Sequence, residues 1–441
     1  MLRRIGWLSF VGISVAACAA GRTGEGTGGA GGTTTTPTTT TTTTTAGGGT
    51  GGTGGTTTST PTASTGGGGQ GGAGGTGGTT TTSEGGTGGA TTTATTTTTT
   101  SGTGGSAPTE TAVVLAGSAA STLAGSFHPG EAWVTATLAG GSSSRPAVAL
   151  LDADTGVGLV RAPADGALLF TKYAAGSFSS PLAIGNLASS MDAPSITAWD
   201  GTAASAYHKG DFKHYFALYQ GPMSGWSPVA EAMLANNVHS FGPSAPSIAI
   251  VSGDVRVAYA GDNGNLYDQR RVAGAWQPAV GHGVDGTIDL SPTLISLSGA
   301  SAAMIAYVRK SDTQVMYTVL TGASWSAPAP VPDVFTNDPV ALTPTSAGGA
   351  VLAFRGTNSM LYTCVFKPGN GAPWSMPQSF GQSVPAPPSL APGIGGADAE
   401  MAFLTAAGVA QHARLTAGAW SAVTSIGGAG LTSIAITSAS P

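Results

Sequence analysis

Charged side chains make up only 8% of this 441-residue sequence, 16 Lys or Arg against 21 Asp or Glu. Nucleic acids and anionic lipid surfaces are bound through clusters of basic side chains, so a chain this poor in them argues against both as partners. Cysteine is rarer still, with only Cys18 and Cys364, which excludes a disulfide framework. The apolar run from Ile5 to Ala17 is too short to cross a bilayer. Apolar residues at helical spacing appear nowhere in the body of the chain with any strength, which points away from a helical domain. Carboxylates are sparse and sit mostly at turns, and no Ser-x-Asp-x-Gly-x-Thr-Trp string of the sialidase kind occurs. Glycoside cleavage needs a pair of flanking carboxylates, and no nucleophile and base can be paired here. An enzyme is not expected, and no cofactor is implied.

Arg3 and Arg4 precede the apolar run and small residues lead from it to Cys18, the layout of a secretory signal over residues 1–17. The string Val15-Ala16-Ala17-Cys18 resembles a bacterial lipobox, in which cleavage leaves the cysteine as an acylated N-terminus. The plainer alternative is an ordinary signal peptide cut after Ala17 or Ala20. Acyl chains contribute about 0.8 kcal/mol per buried methylene, so a multiply acylated Cys18 is a stable membrane anchor. The expected location is across the inner membrane, at the outer membrane or cell surface. Residues 18–110 are almost entirely Gly and Thr. Such a segment buries too little apolar surface to offset its ordering entropy and is expected to be a disordered tether, about 50 Å end to end.

Residues 111–441 are paced by an aromatic side chain: Trp133, Phe178, Trp226, Trp276, Trp325, Trp374 and Trp420 recur at spacings of 45 to 50 residues. Seven such units account for the whole segment, and the period is that of a propeller blade. The clearest unit runs PSIAIVSG from Pro246, DVRVAYAG from Asp254, GNLYDQRRV from Gly264 and AWQPAV from Ala275, four short β-runs divided by turns. Val255, Val257 and Tyr259 alternate with Arg256 and Ala258, the period of a half-buried strand. Gly261-Asp262-Asn263-Gly264 supplies the positive-φ residues of a tight hairpin. Pro146, Pro194, Pro292, Pro339 and Pro388 stand where the other first strands begin, where a missing N–H costs least. Third strands align on Phe170, Phe216, Tyr267, Tyr317, Tyr362 and His412. The expected fold is all-β, a seven-bladed β-propeller of four-stranded antiparallel blades.

The termini predict how the ring closes. GLTSIAITSASP at the C-terminus matches a first strand with no second, third or fourth after it. TAVVLAG from Thr111, STLAGSF from Ser121 and EAWVTAT from Glu131 supply those three places, so the last strand completes the first blade in a Velcro closure.

The strings VLAFRGTNSMLYTCVFKPGNGAPWSMP from Val351 and VRVAYAGDNGNLYDQRRVAGAWQP from Val255 resemble the repeat of bacterial seven-bladed lectins of the Photorhabdus type and, more distantly, of fucose-binding fungal propeller lectins. The shared elements are Phe354-Arg355-Gly356-Thr357-Asn358, Leu361-Tyr362 and Trp374-Ser375. The resemblance implies binding of fucose or O-methylated sugars in pockets between adjacent blades, through tryptophans, polar side chains and main-chain groups. The fungal members pair an Arg with a Glu in each site, and this domain holds three glutamates, Glu131, Glu231 and Glu400.

The ligand-binding candidates are therefore Trp226, Trp276, Trp325, Trp374 and Trp420, with Arg161, Arg309 and Arg355 at the turn position. A recurring Trp either stacks on sugar rings or plugs the seam between blades, and replacement by Phe178 without loss of rhythm favours the plug. The arginines reach hydroxyls at a blade junction or stand solvated. Asp152-Ala153-Asp154-Thr155-Gly156 lacks the later ligands of a calcium loop and reads as a turn. His208 and His214 fit no common zinc motif and read as polar surface residues, while Cys364 in LYTCVF reads as core filler. No metal is expected. Two functions fit: a surface-anchored, multivalent glycan binder, or a protein-interaction scaffold using one propeller face.

Overall fold

The computed structural model describes residues 110–184, 189–221, 225–227, 230–231, 244–283, 288–299, 301–369 and 371–439. The signal segment, the expected lipidation at Cys18 and the tether up to residue 109 lie outside the described residues. All regular structure described is β, arranged as seven antiparallel sheets. Each sheet is a meander whose first strand lies innermost. The seven inner strands, Ser433–Ala439, Ala147–Leu150, Ser195–Trp199, Ser247–Val251, Thr293–Ser296, Ala341–Pro344 and Ser389–Pro392, each neighbour the next round a closed ring.

Closure takes the form read from the termini. Ser433–Ala439 pairs antiparallel with Thr111–Gly117 over seven Cα partners, Thr111 with Ala439 through Gly117 with Ser433. Thr111–Gly117 in turn pairs with Ser121–Phe127, and that strand with Val134–Ala139. The first blade is thus built from both ends of the propeller segment, so no sheet edge is left between the first and last units.

Hydroxyls following the strand-opening prolines stitch the inner ring. The Leu294 N–H donates to Ser247 Oγ at 3.0 Å, the Ile436 N–H to Ser389 Oγ at 3.1 Å, and Thr293 Oγ1 to the Val340 carbonyl at 2.6 Å. Each bond crosses from one blade to the next, which is why Ser or Thr recurs beside proline there.

A second fastener explains the serine after the pacing aromatic. The backbone N–H groups of Lys172, Leu218, Val319, Val365 and Arg414 donate to the hydroxyls of Ser179, Ser227, Ser326, Ser375 and Ser421 at 2.9 to 3.1 Å. The same serine N–H groups donate back to the carbonyls of those third-strand residues. The serine side chain thus takes the place of a ladder carbonyl just where the fourth strand breaks from the third. In the fourth blade Gln277 stands in this position and keeps only the backbone bond, to the Arg270 carbonyl at 2.9 Å.

The Gly-x-Asn turn is also a fastener. Asn358 Nδ2 donates to the Tyr362 hydroxyl at 2.8 Å and Asn263 Nδ2 to the Tyr267 hydroxyl at 2.9 Å. A Cβ on Gly356 or Gly261 would stand 2.8 or 2.7 Å from those tyrosine rings, so glycine is required for the close approach. The strings that carried the lectin resemblance therefore hold the blades together.

Candidate functional site at the blade seams

Each third strand turns one set of side chains toward the next blade, and one position on it meets that blade's pacing aromatic. The cross-strand register identifies the position as Phe170, Phe216, Asp268, Tyr317, Thr363 and His412, opposite Leu159, Ala206, Ala258, Ala306, Ala353 and Ala402. The small opposing residue, alanine in five of the six, leaves room for an incoming ring. This corrects the alignment read from the sequence in two blades. Tyr267 and Tyr362 were matched there to Phe216 and Tyr317, but they pack toward the preceding blade. Their neighbours Asp268 and Thr363 face the following one. A shift of one residue along a strand reverses the face.

At three of the seven seams a Phe or Tyr of the third strand meets the tryptophan. Phe216 meets Trp276 edge to face, with centroids 5.2 Å apart and planes at 88°. Phe170 meets Trp226 at 6.4 Å and 73°, and Tyr317 meets Trp374 at 5.5 Å and 77°. Phe178 packs on the apolar cluster of Val113, Leu115 and Leu138 in the first blade. Between the sixth and seventh blades Trp420 Nε1 donates to Thr363 Oγ1 at 3.1 Å, above a small cleft of about 310 Å³. The pacing aromatics are thus seam residues throughout, packed much as aromatic pairs prefer.

Two seams differ. Between the fourth and fifth blades Asp268 occupies the ring position, only 1% exposed. Arg256 Nη1 donates to its Oδ2 and His282 Nε2 donates to its Oδ1 at 2.9 Å. Arg256 lies over the Trp325 ring at 5.5 Å, and His282 meets that ring edge-on at 5.1 Å and 85°. These groups line an open cleft of about 800 Å³, with Ser324, Ser326 and Gln277 at its polar lip. Arg256 Nε and Trp325 Nε1 are buried without a hydrogen-bond partner. Removing either member of a buried pair like Arg256 and Asp268 costs about 3–5 kcal/mol, because the other charge is left alone.

Between the seventh and first blades the polarity is exchanged between the strands. Glu400, fully buried, stands on the second strand where Arg256 stands in the fourth blade, and His412 and Arg414 stand on the third. His412 Nε2 donates to Glu400 Oε2 at 2.8 Å, Arg414 Nε to Oε1 at 3.0 Å and the Ile394 N–H to Oε1 at 3.2 Å. Trp133 meets His412 at 5.1 Å and 79°. Phe127 stacks on Trp133 at 5.3 Å and lies under the Arg414 guanidinium at 5.7 Å, so aromatic rings cover this triad. Sequence reasoning overlooked both triads. The signal present was a carboxylate in the middle of a third strand, in LYDQRRV, and a glutamate inside the otherwise apolar AEMAFL.

The arginines at the turn position are elsewhere. Arg161 donates from Nε to the Ser190 carbonyl and from Nη1 to Ser143 Oγ, both at 2.5 Å. Arg355 donates to the Val384 carbonyl at 2.9 Å, Asp338 Oδ2 at 2.9 Å and Ser359 Oγ at 2.7 Å. Both tie a hairpin to the connection leading into the next blade. Arg309 chelates Asp312 within its own exposed turn, at 2.9 Å from Nε and 2.5 Å from Nη2.

His208 and His214, expected at the surface, are each only 1% exposed. They face each other across paired strands, rings 5.4 Å apart. His208 Nδ1 is 2.7 Å from Asp192 Oδ2, and His214 Nε2 donates to the Ser244 carbonyl at 3.1 Å. Burial draws the His214 pKa down to about 4, opposed by the Ser244 bond. Asp152 forms a turn, its carboxylate accepting from the Asp154 and Thr155 N–H groups at 2.8 and 2.6 Å. Cys364 is 1% exposed, and burial pushes its thiol pKa up to about 12. Among the described residues no three His, Cys, Asp or Glu side chains converge as metal ligands.

No protein-family model matches the sequence, and no curated protein matches it. Solved structures match it in fold. The BP39L lectin from Burkholderia pseudomallei is 15% identical, with a TM-score of 0.61 over 72% of this chain and 95% of its own. A protein from Lactobacillus plantarum is 10% identical, with a TM-score of 0.51 over 74% and 99%. The fucose-specific lectin from Aleuria aurantia is 15% identical, with a TM-score of 0.47 over 65% and 97%. At these identities the likeness is one of fold: the chain is a propeller of the architecture that a bacterial lectin also uses.

Proposed function

We propose that this propeller is a non-catalytic carbohydrate-binding protein whose principal site is the cleft between the fourth and fifth blades. One observation carries the reading: Trp325, Arg256, Asp268 and His282 converge in a single open cleft. An aromatic face takes the apolar C–H face of a sugar ring, while a guanidinium and a carboxylate respectively donate to and accept from neighbouring hydroxyls. Asp268 offsets the Arg256 charge, so the cleft suits a neutral, hydroxyl-rich ligand rather than an acidic one. With the lectin resemblance, this favours fucose or an O-methylated sugar.

The covered triad between the seventh and first blades and the small cleft at Trp420 make weaker secondary sites. Multivalency then comes from a few seams rather than from all of them. A Cys18 lipid anchor and the Gly/Thr tether would display the ring away from a membrane.

The test is an array of fucosylated and O-methylated glycans probed with the full chain and its variants. Binding should fall at least about tenfold in Arg256→Ala and Trp325→Ala, and should be unchanged in Arg309→Ala. Silence of the wild type across the array would favour the protein-interaction scaffold instead. Retention of full binding by Arg256→Ala would move the site to another seam.

A further inference from the structure

The axial end of the ring holds a cavity that the seam chemistry does not involve. It is about 540 Å³ in volume and receives residues from all seven blades, a size within the range of small-molecule pockets. Its rim is Pro146, Pro194, Pro246, Pro292 and Pro339, its deeper wall carries Ile196, Ile248, Leu390 and Ile434, and among the described residues Arg145 is the one charged residue lining it.

Arg145 donates from Nε to the Ile434 carbonyl at 3.1 Å and from Nη2 to Ser389 Oγ at 2.8 Å. Both bonds use the same side of the guanidinium and run to the two strands that close the ring, so the group is held in place. Its outer edge, Nη1 and the second Nη2 hydrogen, has no protein partner among the described residues. Three arginines drawn into seams or loops have carboxylates, Arg256 with Asp268, Arg355 with Asp338 and Arg414 with Glu400, while Arg161 is held by a carbonyl and a hydroxyl. Arg145 has no carboxylate either. Arg145 is only partly exposed; a cation partly withdrawn from water without a counter-charge is costly, and burial here draws its pKa down to about 10, which still leaves it charged at neutral pH.

We propose that the axial cavity binds a small organic monocarboxylate, its acid group paired end-on with Arg145 and its apolar body resting on the proline rim and the isoleucine wall. The planar guanidinium edge matches a carboxylate's two oxygens. Those walls offer an apolar body a surface that a bare inorganic anion does not use.

Thermal unfolding of the full chain tests the idea with sodium benzoate as probe and neutral benzyl alcohol as its isosteric control, at matched ionic strength. Saturating benzoate should raise Tm by about 2 °C or more; benzyl alcohol should not, and Arg145→Gln should abolish the rise. An equal rise with benzyl alcohol, an unchanged rise in Arg145→Gln or no rise in the wild type would overturn the proposal. Should Arg145→Gln fail to fold, Ser291→Trp, which fills the cavity from three blades round the ring, decides the matter: loss of the benzoate rise supports the site, and its persistence overturns it.

Discussion

The seam between the third and fourth blades and the seam between the fourth and fifth are built alike and filled differently. Both place a third-strand side chain against the next blade's tryptophan and an alanine opposite it, Ala206 or Ala258. In the first, Phe216 meets Trp276 as two rings. In the second, Asp268 holds Arg256 and His282 around Trp325. The scaffold thus tolerates either a dry plug or a charged triad at one position, because the surrounding hydrogen bonds come from the backbone, from hydroxyls and from turns. Stability resides in the repeated fasteners, and chemical individuality resides in one side chain per seam.

Perturbing the two kinds of seam should have effects at several scales. Removing residues 431–441 takes the inner strand from the first blade and opens the ring, and should cause the largest loss. Thermal unfolding of that truncation should lose its cooperative transition, and near-normal melting would mean that both kinds of seam hold without closure. Next come Asp268→Ala and Phe216→Ala, each expected to cost about 3–5 kcal/mol in denaturant unfolding, the first from a stranded guanidinium and the second from a cavity. They should separate in function: glycan binding is lost in Asp268→Ala and kept in Phe216→Ala.

The third-to-fourth seam also carries a pH signature. His214 has a folded pKa of about 4 against 6.5 for the free side chain, chiefly through burial, with Ser244, His208 and Asp192 as its polar neighbours. Above pH 6.5 it is neutral folded or unfolded and contributes nothing. As pH falls from 6.5 toward 4, the unfolded chain takes up a proton that the folded one refuses, so stability drops by up to about 3 kcal/mol and then levels. Unfolding free energies measured across that window should show the slope in the wild type and lose it in His214→Phe. The smallest effect on stability is expected from converting the polar seam: Arg256→Val with Asp268→Phe and His282→Ala should leave stability within about 1–2 kcal/mol of the wild type or raise it, since an apolar filling replaces a buried ion pair at little cost. Glycan binding should vanish in that variant, which would sharpen the division between packing and recognition.

Much of this was legible along the chain. The aromatic pacing set the blade count, and the lone strand pattern at Ser433–Ala439 predicted the pairing with Thr111–Gly117. The lectin-like strings were visible too, but they mark fasteners: Asn358 on Tyr362, Ser375 on the Val365 N–H and Arg355 on the Val384 carbonyl. The triad at Asp268 was missed because aligning aromatics brought Tyr267 into the place that Asp268 holds. Tyr267 stacks on Tyr259 toward the other face, at 5.7 Å and 20°.

The sequence by itself determined the class of fold, the number of blades and the manner of closure, since each follows from short-range periodicity and turn chemistry written within every repeat. Only the tertiary structure decided which seams are polar and that Arg145 stands in the axial cavity without a carboxylate. Those outcomes depend on which face of a strand a residue takes and on which blade meets it, and a one-residue shift in register reverses the first while ring closure fixes the second.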